Sequence, residues 1–237
     1  VRVLDNDISA PEPDRVPFGW PSLAIGLRPS GSASCAGTRI ERNRIAGHTD
    51  GVVLASAPPD GPGAACRDVT IRENVIRMQP VLHSAEAGPL AGTPAIGVPI
   101  RLLNMQAGIA AGAVTFPMPA PPGGWPAAFA DASVRDVVVE GNDIEGATGV
   151  AIELVFASHN RVRGNRIGAI TPMTEAEHAR LTSATTFGVG PGIWVRNRDW
   201  RSINGTAVWA WPGGRGNDVA GNTVATARPA SVVPSAR

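Results

Sequence analysis

Arg28, Arg101, Glu153 and Arg196 each follow an apolar-alternating segment, with Trp194 and Arg198 on either side of the last. Guanidinium groups grip carboxylate or sulfate through paired hydrogen bonds, and an indole face stacks on a sugar ring. Arg101, Glu153 and Arg196 are thus candidate catalytic groups toward an anionic polysaccharide, with Arg28, Trp194 and Arg198 as binding groups. The same residues also read as a solvated sheet on which Glu153 merely bridges two arginines. A second constellation is His48 and Asp50 in "GHTDGV". A His at a corner can serve as base with an Asp to orient it, yet His-x-Asp before Gly is also ordinary turn chemistry.

Other chemistries find no support in the sequence. His83, His159 and His178 stand singly, and no CxxC or His cluster has metal-ligand spacing. No metal site and no cofactor are expected; Ca²⁺ stays open as a ligand, without a carboxylate cluster to hold it. "GPGAAC" lacks the Lys and helix of a phosphate loop. All 21 basic residues are Arg, so no lysine base or Schiff base is available. A net charge of +1 offers no field for nucleic acid, and no apolar run reaches the ~18 residues of a membrane span.

The elements that would position these side chains repeat. The pattern apolar-x-apolar-x-x-Asn-x-apolar occurs as "VRVLDNDI", "TRIERNRI", "VTIRENVI", "VVVEGNDI", "NRVRGNRI" and "NDVAGNTV". Its asparagines are Asn6, Asn43, Asn74, Asn142, Asn165 and Asn222. A second segment follows most of them: "AIGL", "GVVL", "IGVPIRLL", "GVAIEL" and "GIWV". Apolar spacing is two rather than three and four, which argues strands and disfavours helices. Strand, Asn corner, short strand, turn and strand make one coil of a parallel solenoid. Asn suits the corner because it tolerates left-handed backbone, and stacked amides can donate to and accept from one another.

The "N-x-I" and "G-I-x-L" segments resemble the repeats of right-handed parallel β-helix proteins, a superfamily that includes pectate lyases. The resemblance implies an all-β fold: a single right-handed solenoid of about five to seven coils with an Asn ladder. One domain would cover residues 1–237, with coils over about 1–226 and a tail at 227–237. Starting at Val1 inside a strand pattern, the chain reads as a mature product or an excised part of a longer protein. Long loops are expected on one edge, at about 10–23, 77–95 and 168–191, with a short surface helix in "TPMTEAEHARL" N-capped by Thr171. The Pro-rich 116–129 would drape another edge.

Stacking makes two further demands. Cys35 and Cys66 each lie eight residues before a ladder Asn, so they should be neighbours about 4.8 Å apart, close enough for a disulfide. Glu41 with Arg72, Arg42 with Glu73, Glu140 with Arg163 and Asp143 with Arg166 should pair across adjacent coils.

Many proteins of this superfamily act on polysaccharides as lyases, hydrolases or epimerases, but the hydrolase and epimerase signatures are missing here. What the resemblance leaves is an arginine- or histidine-assisted lyase-like activity on an anionic polysaccharide. The alternative is a non-catalytic structural or adhesive module of a larger assembly, of the tail-spike or fibre kind. Either implies an extracellular, cell-surface or particle-surface location, and the uncovered first coil calls for a capping segment or a partner chain.

Overall fold

The structure is a computed structural model, and it describes residues 1–10, 23–27, 34–48, 50–56, 66–78, 98–104, 134–155, 157–172, 174–175, 204–210 and 216–225. Short parallel strands dominate it. The first pass of the chain lays down β1 (Arg2–Leu4), β2 (Asp7–Ser9) and β3 (Leu23–Leu27), and the second β4 (Arg39–Glu41), β5 (Arg44–Ala46) and β6 (Asp50–Ser56). The third carries β7 (Cys66–Arg67), β8 (Thr70–Arg72), β9 (Val75–Arg77) and β10 (Val98–Asn104). The fourth carries β11 (Val134–Arg135), β12 (Val138–Glu140), β13 (Asp143–Glu145) and β14 (Val150–Val155). Then come β15 (Arg161–Arg163), β16 (Arg166–Ile167) and β17 (Thr206–Ala210), and last β18 (Asp218–Ala220) and β19 (Thr223–Val224).

Each pass visits the same sheets in the same order. One sheet, A, runs β1-β4-β8-β12-β15-β18; a second, B, runs β2-β5-β9-β13-β16-β19; a third, C, runs β3-β6-β10-β14-β17. A two-stranded sheet pairs β7 with β11. β8 pairs directly with β12 and β9 with β13, although Asn74 and Asn142 are far apart in the chain. β15 likewise pairs directly with β18, and β16 with β19.

Exact register stacks like on like. Val3, Ile40, Ile71, Val139, Val162 and Val219 form one file, and Ile8, Ile45, Ile76, Ile144, Ile167 and Val224 another. Inner members of both files are buried, while Val3, Ile8, Val219 and Val224 at the ends are only partly so. β-branched side chains fill such files well because their stiff χ1 matches the pleat.

The six ladder asparagines stack in one file. The Nδ2 of each donates to the Oδ1 of the next at 2.8–2.9 Å. Each backbone N–H donates to the same oxygen at 3.0–3.1 Å. The remaining amide proton reaches back to a carbonyl of the preceding pass, as Asn142 does to Ile71 at 3.0 Å. Asn43, Asn74, Asn142 and Asn165 are fully buried, so the file places polar groups in the core with their bonds made.

One detail corrects the sequence reading. The left-handed residue at the corner is not Asn but its predecessor: Asp5, Arg42, Glu73, Gly141, Gly164 and Gly221 all have φ between 54° and 64°. Turning the chain one residue early lets Asn itself aim inward along the stack. A second left-handed file, Gly37, Asp68, Asp136, His159 and Gly216, marks the corner before sheet A. Thr171, expected to cap a helix, forms a parallel bridge with Thr148, and Glu175 within that segment is helical; the predicted helix from 176 on, the expanded edges at 11–22, 79–95 and 176–191, and the Pro-rich 116–129 lie outside the described residues.

Candidate functional site

Sheet C carries the side chains singled out for chemistry, and its register rearranges them. Its inward pairs are Ile25/Leu27, Val52/Leu54, Ile100/Leu102, Ile152/Leu154 and Val208/Ala210. Arg101 therefore stands between Val53 and Glu153, and Gly26, not Arg28, is opposite Val53. On the other side Glu153 is opposite Trp209 of β17. If Arg28, Arg101, Glu153 and Arg196 held equivalent places they would form one file; instead β3 and β6 are shifted by two residues against β10, and the strand beyond Glu153 is β17. A slip of two preserves which face each residue occupies, so the core looked right while the file did not. Arg28, Trp194, Arg196 and Arg198 lie outside the described residues.

Glu153 points away from the Ile152/Leu154 face yet is fully buried, as are Ala151 and Ala207 on the same face. At β14 and β17 sheet C is thus buried on both faces, in the manner of parallel sheets. A carboxylate with no exposure does not meet a polymer in solvent without movement of whatever covers it.

His48 and Asp50 sit at the mouth of β6, directly after Gly47, whose φ of 74° turns the corner. Both are buried. Asp50 is opposite Leu23 and Val98, on the inward side with Val52. Burial pushes the His48 pKa below its ordinary value, because the interior disfavours the imidazolium. The neutral imidazole is the form a base requires, and it is equally the form that packs.

Exposed charges form ion pairs, one of them as the repeat suggested and the others with different partners. Glu41 is opposite Arg72 and Glu140 opposite Arg163 in register. Arg72 nevertheless bonds Glu73 at 2.9 Å, and Arg163 pairs with Asp218. Arg42 turns back to Asp5 with two bonds of 2.7 and 2.8 Å. Asp143 does meet Arg166, at 2.6 Å, and also takes Arg77 at 2.7 Å. Burial raises the Asp143 pKa, but hydrogen bonds from Arg77 and Arg166 outweigh it and the net shift is downward. These pairs lie at exposed or half-exposed positions of sheets A and B and of the corner between them.

Cys35 and Cys66 are bonded as a disulfide, their Cα atoms 4.9 Å apart on successive passes. Among the described residues, no group of three His, Cys, Asp or Glu side chains is arranged to hold a metal ion. No helix among them is long and apolar enough to cross a membrane.

The sequence reading missed a second interior amide file. Asn160 donates to Asn217 Oδ1 through both N and Nδ2, at 3.1 and 3.0 Å, and Val137 N–H donates to Asn160 Oδ1 at 3.0 Å. The signal was present: "NRVRGN" and "NDVAGN" repeat Asn at a spacing of five.

Comparison with family models, with curated proteins and with solved structures finds no match to this chain. Function rests on the geometry alone.

Proposed function

We propose that the chain is a right-handed parallel β-helix acting as a stiff, non-catalytic structural or adhesive module of a larger extracellular or surface assembly. One observation carries this reading: the buried Asn file runs unbroken through all six described passes, with each interior amide bonded on both sides. Such a file resists sliding and bending, since any slip leaves buried amides without partners. The best candidate acid or base on sheet C, Glu153, is sealed from solvent, and Arg72, Arg77, Arg166, Glu73 and Asp143 are engaged in ion pairs on the outer walls. Incubation with pectate, alginate and glycosaminoglycan is the test. A flat unsaturated-uronate absorbance on all three is expected, and a rise that Arg101→Ala abolishes would overturn the reading.

Engagement of an anionic polysaccharide is the second reading. It is favoured by the file Arg101–Glu153–Trp209, which puts a guanidinium-bearing, a carboxylate-bearing and an indole-bearing residue on neighbouring strands. Saturable oligosaccharide binding lost in Trp209→Ala would establish it, and no heat of binding from alginate or heparin fragments would dismiss it.

A further inference from the structure

The two ends of the stack complement each other. Among the described residues, β1 and β2 pair on one side only, and β18 and β19 pair on the opposite side only. The apolar files end there partly uncovered, with Val1 72% and Leu23 42% exposed at the first pass.

The hydrogen bonds between passes have a fixed polarity. Every Asn donates toward the later pass and accepts from the earlier one. Asn6 thus presents an accepting Oδ1 at one end, and Asn222 presents its N–H and an Nδ2 proton at the other. Backbone bonds also keep one direction at each position of the repeat. The left-handed residue donates to a carbonyl of the next pass, as Gly164 does to Ala220. The residue after each Asn donates back to the previous Asn carbonyl, as Thr223 does to Asn165. A third bond runs from Asp218 to Asn160.

We infer that the ends join: the β18/β19 edge of one copy receives the β1/β2 edge of a second copy of this chain. Continuing the pattern by one step, Gly221 N–H donates to Leu4 O of the next copy, Asp7 N–H to Asn222 O, and Arg2 N–H to Asn217 O. Asn222 then donates to Asn6 Oδ1, extending the ladder across the junction. Val219 meets Val3 and Val224 meets Ile8, closing both apolar files. Charge agrees, since the register that puts Asp218 opposite Arg161 and Arg2 opposite Arg39 sets Asp218 against Arg2. Sheet C ends earlier, at β17, among the described residues, so sheets A and B make the contact. A junction between different surfaces closes only if its rotation makes a ring; one that continues the same strand stacking propagates into linear oligomers. Open parallel edges are the template for such pairing.

Sedimentation velocity of the 237-residue chain across a range of concentrations tests this. A ladder of oligomers that grows with concentration is expected. Asp7→Pro removes a donor that faces the junction, at the first residue of a strand where Pro is tolerated, and Asp7→Asn, which keeps the N–H, controls for the lost carboxylate. It should weaken association about tenfold, the loss of about one interfacial bond. Arg2→Asp should weaken it similarly, and Arg2→Asp combined with Asp218→Arg should restore it. Circular dichroism confirms that each variant keeps its β signal. A chain that stays monomeric throughout overturns the inference, as does association that Asp7→Pro and the charge reversals leave unchanged. The inference rests on the structural-module reading, but a monomer inert toward polysaccharides would sink the junction alone and leave that reading standing.

Discussion

Removing one amide from the middle of the interior file should cost far more than removing one at its end. Asn142 takes part in four bonds through its side chain: it donates to Asn165 Oδ1 and Ile71 O, and accepts from Asn74 N and Nδ2. Asn142→Ala deletes all four and strands the Asn74 donors and the Ile71 carbonyl where water is excluded. At about 1 kcal/mol per lost bond, and more for each buried group left without a partner, the expected destabilisation is about 3–6 kcal/mol. Asn222→Ala deletes three bonds, two from Asn165 and one to Val162, at a half-buried site that water can reach. There the expected loss is about 1 kcal/mol. Asn142→Asp is the sharper variant: it keeps the acceptor toward Asn74 but turns an oxygen toward Ile71 O and Asn165 Oδ1, and should cost at least as much as Ala. Urea unfolding followed by circular dichroism, extrapolated linearly to water, gives the three values. If Asn142→Ala costs no more than Asn222→Ala, or if Asn142→Asp is silent, the buried file is not what holds the passes together.

Reducing the Cys35–Cys66 disulfide, which spans a sequence separation of 31, should lower stability by about 3–4 kcal/mol through the freed loop entropy; an unchanged urea midpoint would contradict this. Gly164→Ala should cost about 1–2 kcal/mol from the left-handed backbone alone, because a Cβ there meets nothing within 4 Å. Gly146→Ala should cost more, since its Cβ would lie 2.5 Å from Met78 O, and equal midpoints for the two variants would count against that ranking. His48 has a folded pKa below its ordinary 6.5. Its contribution is therefore complete above that value and lost as pH falls through it toward the folded pKa. Stability should decline from pH 7 to pH 5, and His48→Gln should flatten the decline; parallel curves for the two proteins would refute it.

Alternation and the recurrent Asn were legible in the sequence because each is a local demand. A strand buried on one face must alternate, and a corner that turns inward needs an amide that both donates and accepts. From "TRIERNRI" and its relatives alone come the parallel strands, the inward isoleucines and the Asn file. The proximity of Cys35 and Cys66 follows from the same repeat. Tertiary structure decided what depends on which pass lies beside which. Asn74 and Asn142 are 68 residues apart in sequence yet bonded directly, and nothing local shows that β8 and β12 are neighbours. Sheet C differs because its strands open after segments of unequal length, so their relative shift is set by cross-strand hydrogen bonds. That shift put Arg101 beside Val53, and the choice of β17 as the next strand put Trp209 beside Glu153. Ion pairs were chosen by reach: Arg42 bonds Asp5 and Arg163 bonds Asp218, since a long guanidinium arm selects among several carboxylates within range, whereas a short amide in a buried file has one place to go.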